Sequence, residues 1–287
     1  MTDQQFDNHL HHLVAEALHE DVGDGDHSTL CCIPPAKRGK AILKIKQDGI
    51  LAGVAVAKKI FEIVEPSAEM KVYMKDGDTM KYGDVAFDVE ASIHTILTCE
   101  RLVLNTMQRM SGIATLTKTY VDKLAGYKTK ILDTRKTTPN FRLLEKAAVK
   151  IGGAYNHRFA LYDMIMLKDN HIDYCGGIEN AIEKAYEYVH TKKPHLKIEV
   201  ETRSLTDVEK VMVMGQGKVF RIMLDNFTPA QITEAVAIIG ETFETEASGG
   251  INLDTIEAFA ATGVDYVSVG ALIHQAKSLD LSLKAML

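Results

Sequence analysis

The chain has 287 residues, 46% hydrophobic and 25% charged, an ordinary globular composition with room for one large or two modest domains. Its 33 Lys and Arg against 39 Asp and Glu leave a formal charge of −6, which argues against a general nucleic-acid binder. Apolar stretches such as 50–57 are too short to cross a bilayer, the first twenty residues resemble no leader, and Cys31, Cys32, Cys99 and Cys175 show no CxxC spacing, so a reduced, cytoplasmic protein is expected.

Phe6, Leu10, Leu13, Val14 and Leu18 carry helical spacing. A turn-rich stretch over 20–29 follows, then a strand over 40–46, a short helix over 53–64 and strands near 70–74 and 84–90, separated by Asp-Gly-Asp and Tyr-Gly-Asp turns. Ser92 opens a long amphipathic helix with Ile93, Ile96, Leu97, Val103, Leu104 and Met107 on its apolar face. These elements predict a smaller α+β domain over 1–111, against which the tail 276–287 is a candidate to pack.

After residue 112 the texture becomes a regular alternation, predicting an α/β domain over 112–275. Short apolar runs at 130–133, 164–167, 197–200, 219–224, 242–247 and 266–269 alternate with helical patterns, the clearest on Ile178, Ala181, Ile182, Ala185, Tyr186 and Val189. Strands separated by helices build a parallel sheet, either open and doubly wound or closed toward a barrel. Polar groups follow successive runs: Asp133-Thr134-Arg135-Lys136, then Lys168, Glu201, Asp225, Ser248-Gly249-Gly250 and, after Val269, Gly270. Functional groups at the end of every strand favour the barrel, whose strand ends converge on one mouth; an open sheet concentrates them at one switch point.

Charge is uneven. Residues 130–168 hold eight basic side chains against three acids, so this segment carries +5 and the rest of the chain −11. Arg142, Lys146 and Lys150 share a four-residue spacing that reads equally well as a solvated helix face. Arg135, Lys136, His157, Arg158 and Lys168 do not share that spacing. Guanidinium groups bind carboxylate or phosphate bidentately, so such a set implies a small ligand with several negative charges. Glycines after the last two strands, with helix N-termini behind them, suit a phosphate, although tight turns alone would also require glycine. Glu201 and Asp225 suit Mg²⁺ held through water or substrate oxygens, or an ion pair with Lys168; spacing does not separate these.

Several motifs together carry a family resemblance: Glu100-Arg101 with Asn105 and Gln108-Arg109, Asp133-Thr134-Arg135-Lys136 through Pro139, Asn156-His157-Arg158, Lys168 through His171, Glu201, Asp225-Asn226 and Ser248-Gly249-Gly250. The chain resembles the quinolinate phosphoribosyltransferase family almost end to end. Two departures are visible: Asn140 stands where that family usually has glycine, and Ala154 replaces the third glycine of a usual run. The resemblance implies an incomplete, seven-stranded α/β barrel with a smaller α+β N-terminal domain, working as a homodimer or a dimer-based hexamer. It implies transfer of phosphoribose from phosphoribosyl pyrophosphate to quinolinate with loss of CO2, giving nicotinate mononucleotide for NAD biosynthesis, with Mg²⁺. Arg101, given to the partner's site, would bind quinolinate with Thr134, Arg135, Lys136, His157 and Arg158; Lys168 would lie between the two substrates. Glu201 and Asp225 would act on the ribose and Mg²⁺–diphosphate, and Ser248, Gly249, Gly250, Val269 and Gly270 would cradle the 5′-phosphate. Three alternatives stand beside this reading: a paralogous transferase acting on another acid, a phosphosugar-barrel isomerase or aldolase, and a non-catalytic ligand-binding role, which would leave Glu201 and Asp225 unexplained.

Overall fold

A computed structural model describes residues 3–286, which pack as two compact units. The first unit draws on three stretches: residues up to Lys118, Thr137–Gly153, and Leu272 onward. It begins with α1 (Asp3–Val22) and α2 (His27–Cys32), followed by β1 (Arg38–Ile45), β2 (Gly49–Ile50), α3 (Val54–Val64), β3 (Glu69–Val72), β4 (Thr79–Met80), β5 (Val85–Ser92) and α4 (Ile93–Lys123). Helix α1 buries Leu10 and Val14 and turns His9, His11, His12 and His19 to solvent. The turn-rich stretch ends in an N-cap: Asp26 Oδ1 accepts from the Thr29 amide at 3.1 Å and starts α2. Helix α3 buries Ile60 and Phe61, worth about 1.5–3 kcal/mol each.

The second unit comprises Thr119–Lys136 and Ala154–Ala271. Its strands begin with β6 (Lys130–Leu132); α5 (Arg142–Ile151) then belongs to the first unit. There follow β7 (Ile165–Leu167), α6 (Asp169–Cys175), α7 (Ile178–Lys192), β8 (Ile198–Thr202), α8 (Leu205–Met214), β9 (Arg221–Asp225), α9 (Pro229–Ile239), β10 (Glu244–Ser248), α10 (Ile256–Ala260) and β11 (Tyr266–Ser268). The chain then passes through α11 (Ala271–His274) to β12 (Leu281–Met286).

In the first unit the sheet order is β12-β1-β5-β3, antiparallel throughout, and β2 pairs separately with β4. Ala41, Leu43 and Ile45 of β1 face the core while Lys44 faces solvent, the two-residue period of a half-buried strand. The tail segment 281–286 pairs with β1 along its length. Close packing holds the approach to that strand: a Cβ on Gly112 would collide with the Lys277 carbonyl. Arg109 donates to the carbonyls of Ile273 and Ala276 and, through Nε and Nη2, to Glu145 of α5 at 3.0 and 2.8 Å. Glu145, fully buried, also accepts from the Thr138 amide and hydroxyl. The boundary expected at 111/112 lies inside the continuous helix α4, and α5 packs with the first unit.

In the second unit six parallel strands take the order β6-β11-β10-β9-β8-β7. This is a cyclic permutation of chain order, with the last strand paired to the first, as barrel winding requires; a doubly wound sheet would reverse direction. The seventh position is reduced to a single parallel bridge, Leu132 to Tyr155, on the free edge of β6. Among the described residues no pairing joins Tyr155 to β7, so the barrel is incomplete. The intervening helices start as their sequences dictate: Ser204 caps α8, while Thr228, Pro229 and Gln231 form the start of α9.

The four-residue spacing of Arg142, Lys146 and Lys150 does not produce a uniformly solvated face. Lys146 is only 2% exposed and Arg142 half-buried, its Nε donating to Thr137; Lys150 alone is exposed. Both departures from the family pattern have a backbone account. Asn140 adopts φ +62°, a left-handed conformation that asparagine tolerates in glycine's place, whereas Ala154 is buried and stays out of that region.

Candidate active site

The strand ends of the second unit carry most of the expected residues. Thr134, Arg135 and Lys136 follow β6; the Thr134 hydroxyl accepts from the Lys136 amide at 3.0 Å, turning the loop so that Arg135 and Lys136 are exposed. Asn156, His157 and Arg158 follow the Tyr155 bridge. Asp133, fully buried, accepts from the His157 amide at 2.9 Å and from the Asn156 side chain at 2.5 Å. Arg158 is half-buried, and its Nη1 donates to the Met164 carbonyl at 3.1 Å. Burial first, and then the positive charge of Arg135, make Arg158 hold its proton less tightly than usual.

Lys168 follows β7, with its Nζ 3.0 Å from Glu201 Oε2. The ion-pair role left open for Glu201 is therefore realised, and Oε1 also accepts from the Asp169 amide at 3.4 Å. Asp225 ends β9 beside Ser248, its register partner on β10. Asp225 Oδ1 accepts from the Ser248 hydroxyl at 2.5 Å and Oδ2 from the Asn226 side chain at 2.7 Å. Each carboxylate thus has intrachain donors while keeping lone pairs for a further ligand. A pair of hard oxygen donors at neighbouring strand ends fits Mg²⁺, which favours a few carboxylate contacts completed by water and phosphate.

Gly249 and Gly250 adopt φ +94° and +65°. At Gly249 a Cβ would strike the Asn226 side chain, so the two loops interlock only with glycine there. The expected helix N-terminus does not follow Gly250 directly: α10 begins at Ile256, after a turn around Asn252. Beyond β11, buried Val269 leads to Gly270 and α11 starts immediately. Arg101 lies on α4 in the first unit, exposed, with Glu100 Oε1 3.5 Å away.

His157 differs from its expected surroundings. Its side chain is only 6% exposed, with Nε2 3.1 Å from Glu199 and 3.4 Å from Glu246. Nδ1 accepts from the Arg158 amide at 2.7 Å. Arg221 reaches the same layer: Nη1 donates to Glu246 at 2.7 Å, Nη2 to Glu244 at 2.7 Å, and its guanidinium lies 4.2 Å from the Tyr266 ring centre. Burial would lower the imidazole's pKa and the contacts with Glu199 and then Glu246 would raise it. Because Nδ1 accepts the Arg158 amide, the ring's single proton sits on Nε2, toward the two carboxylates. Burial and the neighbouring Glu246 charge push Glu199 up to about 7. Burial would also raise Glu246, but the contacts with His157 and Arg221 hold it below the ordinary carboxylate range.

Glu199, Arg221 and Glu246 escaped the sequence reading because they lie inside strands treated as apolar runs. The signal was present as a two-residue period: Glu199 and Glu201 on β8, Arg221 and Asp225 on β9, and Glu244, Glu246 and Ser248 on β10 put polar side chains on one face.

Two family models match. "Quinolinate phosphoribosyl transferase, N-terminal domain" covers residues 26–111, and the corresponding C-terminal domain covers 113–284. Among curated relatives, "Quinolinate phosphoribosyltransferase [decarboxylating] 1b" of Nicotiana tabacum is 44% identical over 285 residues, covering 95% of this chain and 81% of its own length. "Nicotinate-nucleotide pyrophosphorylase [carboxylating], chloroplastic" of Arabidopsis thaliana has the same identity and coverage. The crystal structure of NadC from Streptococcus pyogenes superposes with a TM-score of 0.89 at 40% identity, covering 100% of this chain and 99% of that one. With the polar strand ends in place, these matches make the chain a member of the quinolinate phosphoribosyltransferase family.

Proposed function

We infer that this chain is a decarboxylating quinolinate phosphoribosyltransferase, a pentosyltransferase of NAD biosynthesis. The observation that carries the mechanism is the gathering, at the strand ends of one open barrel, of four cations (Arg135, Lys136, Arg158, Lys168) and a glycine turn interlocked with Asp225-Asn226. Both carboxylates of quinolinate are ionised at neutral pH. Arg135, Lys136 and Arg158 grip them and hold the ring nitrogen toward C1 of the ribose. Arg101 of a second copy completes the grip, which makes the homodimer, alone or within a hexamer, the working assembly.

Lys168, paired with Glu201, stands between the two substrates. Glu201 and Asp225 face the sugar and stabilise the positive charge that develops as the C1–pyrophosphate bond breaks and the ring nitrogen bonds to C1. These two carboxylates would also hold Mg²⁺, which supplies charge neutralisation for the diphosphate. Ser248, Gly249, Gly250, Val269 and Gly270 form the seat of the 5′-phosphate, the glycines letting backbone N–H groups come close. Once ribosylated, the pyridinium takes up the electron pair of the breaking C–CO2 bond, and the ring carbon then takes a proton from solvent. No general acid is required.

The cysteines are all free, in keeping with a cytoplasmic setting, and among the described residues no helix is long and apolar enough to cross a membrane. The test is to mix the purified protein with phosphoribosyl pyrophosphate, Mg²⁺ and either quinolinate or nicotinate, measuring CO2 and pyrophosphate. Release of both in equal amounts with quinolinate alone is expected; turnover of nicotinate instead would assign a different acid.

A further inference from the structure

We propose that Glu246, backed by Glu199 and Arg221, is a positioning residue that fixes Arg158 for the acid substrate by holding the edge of the His157 ring. This rests on the transferase reading above. Two carboxylates and an arginine sealed inside a barrel are weak stabilisers, since well-packed apolar side chains of similar volume usually do as well or better. Their geometry points to what they hold. Glu199 and Glu246 converge on His157 Nε2 at 3.1 and 3.4 Å, and Arg221 fixes Glu246 by donating to it at 2.7 Å. Tyr266 on β11, the register partner of Glu246, lies against the Arg221 guanidinium.

The far side of the same ring is coupled to the substrate pocket. His157 Nδ1 accepts from the Arg158 amide, and the His157 amide donates to buried Asp133. The Arg158 backbone is therefore placed by the orientation of the His157 ring, while its guanidinium is steadied by the Met164 carbonyl. His157 on this account acts on the pocket through the Arg158 amide. Rotation of the ring, once Glu246 no longer holds it, would shift Arg158 relative to Arg135 and loosen the bidentate grip on a carboxylate.

The test compares wild type, Glu246→Gln, Arg158→Ala and the double variant in steady-state assays. Glu246→Gln is expected to raise KM for quinolinate about tenfold while leaving KM for phosphoribosyl pyrophosphate within about twofold. In the Arg158→Ala background the same change should add less than about twofold, because the two act through one contact. Equal changes in both KM values, or effects that simply multiply, would overturn the inference. Should Glu246→Gln fail to fold, Glu246→Gln with Arg221→Gln removes one charge of each sign and is judged by the same criteria. An active wild type with an unsplit variant overturns this inference alone; a wild type that releases no CO2 from quinolinate overturns the transferase reading and this inference with it.

Discussion

The second unit holds two sets of charged side chains that differ in what surrounds them. At the strand ends, Arg135, Lys136 and Lys168 are exposed, and the Lys168–Glu201 pair has one partner 46% accessible and the other 7%. Below them, His157, Glu199 and Glu246 are sealed, and Arg221 nearly so. Exposed pairs are screened by water and add little stability, so the strand ends can exchange their partners for a ligand. The sealed layer cannot make that exchange: each member depends on the others, and removing one strands a charge where hydration is absent. One set meets the substrate and the other sets the shape in which it is met.

The largest expected effect belongs to the sealed layer. Arg221→Leu leaves Glu246 without its charged partner and should cost about 3–5 kcal/mol in denaturant unfolding; a loss below about 1 kcal/mol would erase the distinction. Arg135→Ala should do the opposite, leaving the unfolding midpoint in place while lowering kcat/KM for quinolinate by roughly 10²-fold.

Proton linkage sharpens the same contrast. Glu199 holds its proton more tightly folded, at about 7, than at its ordinary 4.5. The stability it lends is therefore whole below pH 4.5 and is lost as pH rises through about 7. Glu246, held low, loses its contribution only under acid. The thermal midpoint should fall between pH 4.5 and about 7, and Glu199→Gln should flatten that fall. The smallest signal is a recovery: Arg101→Ala and Lys168→Ala, each inactive, should regain some activity when mixed under conditions of subunit exchange. No regain would remove Arg101 from a shared site.

Much of the architecture was legible because its cues are local. The six strand positions followed from apolar runs alternating with helical patterns, and the glycines near 249 and 270 marked turns by their lack of a side chain. Asp225 and Glu201 stood out because each follows or ends such a run. The solvated-face alternative fails at Lys146 because helical spacing reports which residues share a face, not whether that face meets water. The sealed quartet was hidden for a related reason. In strands of five residues, one Glu or Arg among mostly apolar neighbours resembles an outward-facing exception until the strand partners are known. Only the registers Glu199–Arg221 and Glu244–Arg221 reveal that those side chains come from adjacent rows.

The pairing of β1 with β12 has a consequence for how the chain is made. Strand β1 leaves the ribosome roughly 240 residues before the segment that completes its hydrogen bonding, so one edge of the first sheet waits open for most of translation. Nascent molecules halted before residue 281 would carry an unzipped strand, a ready docking site for chaperones and a seed for clumping. Trimming 281–286 should therefore harm yield in the cell more than its few side chains would suggest.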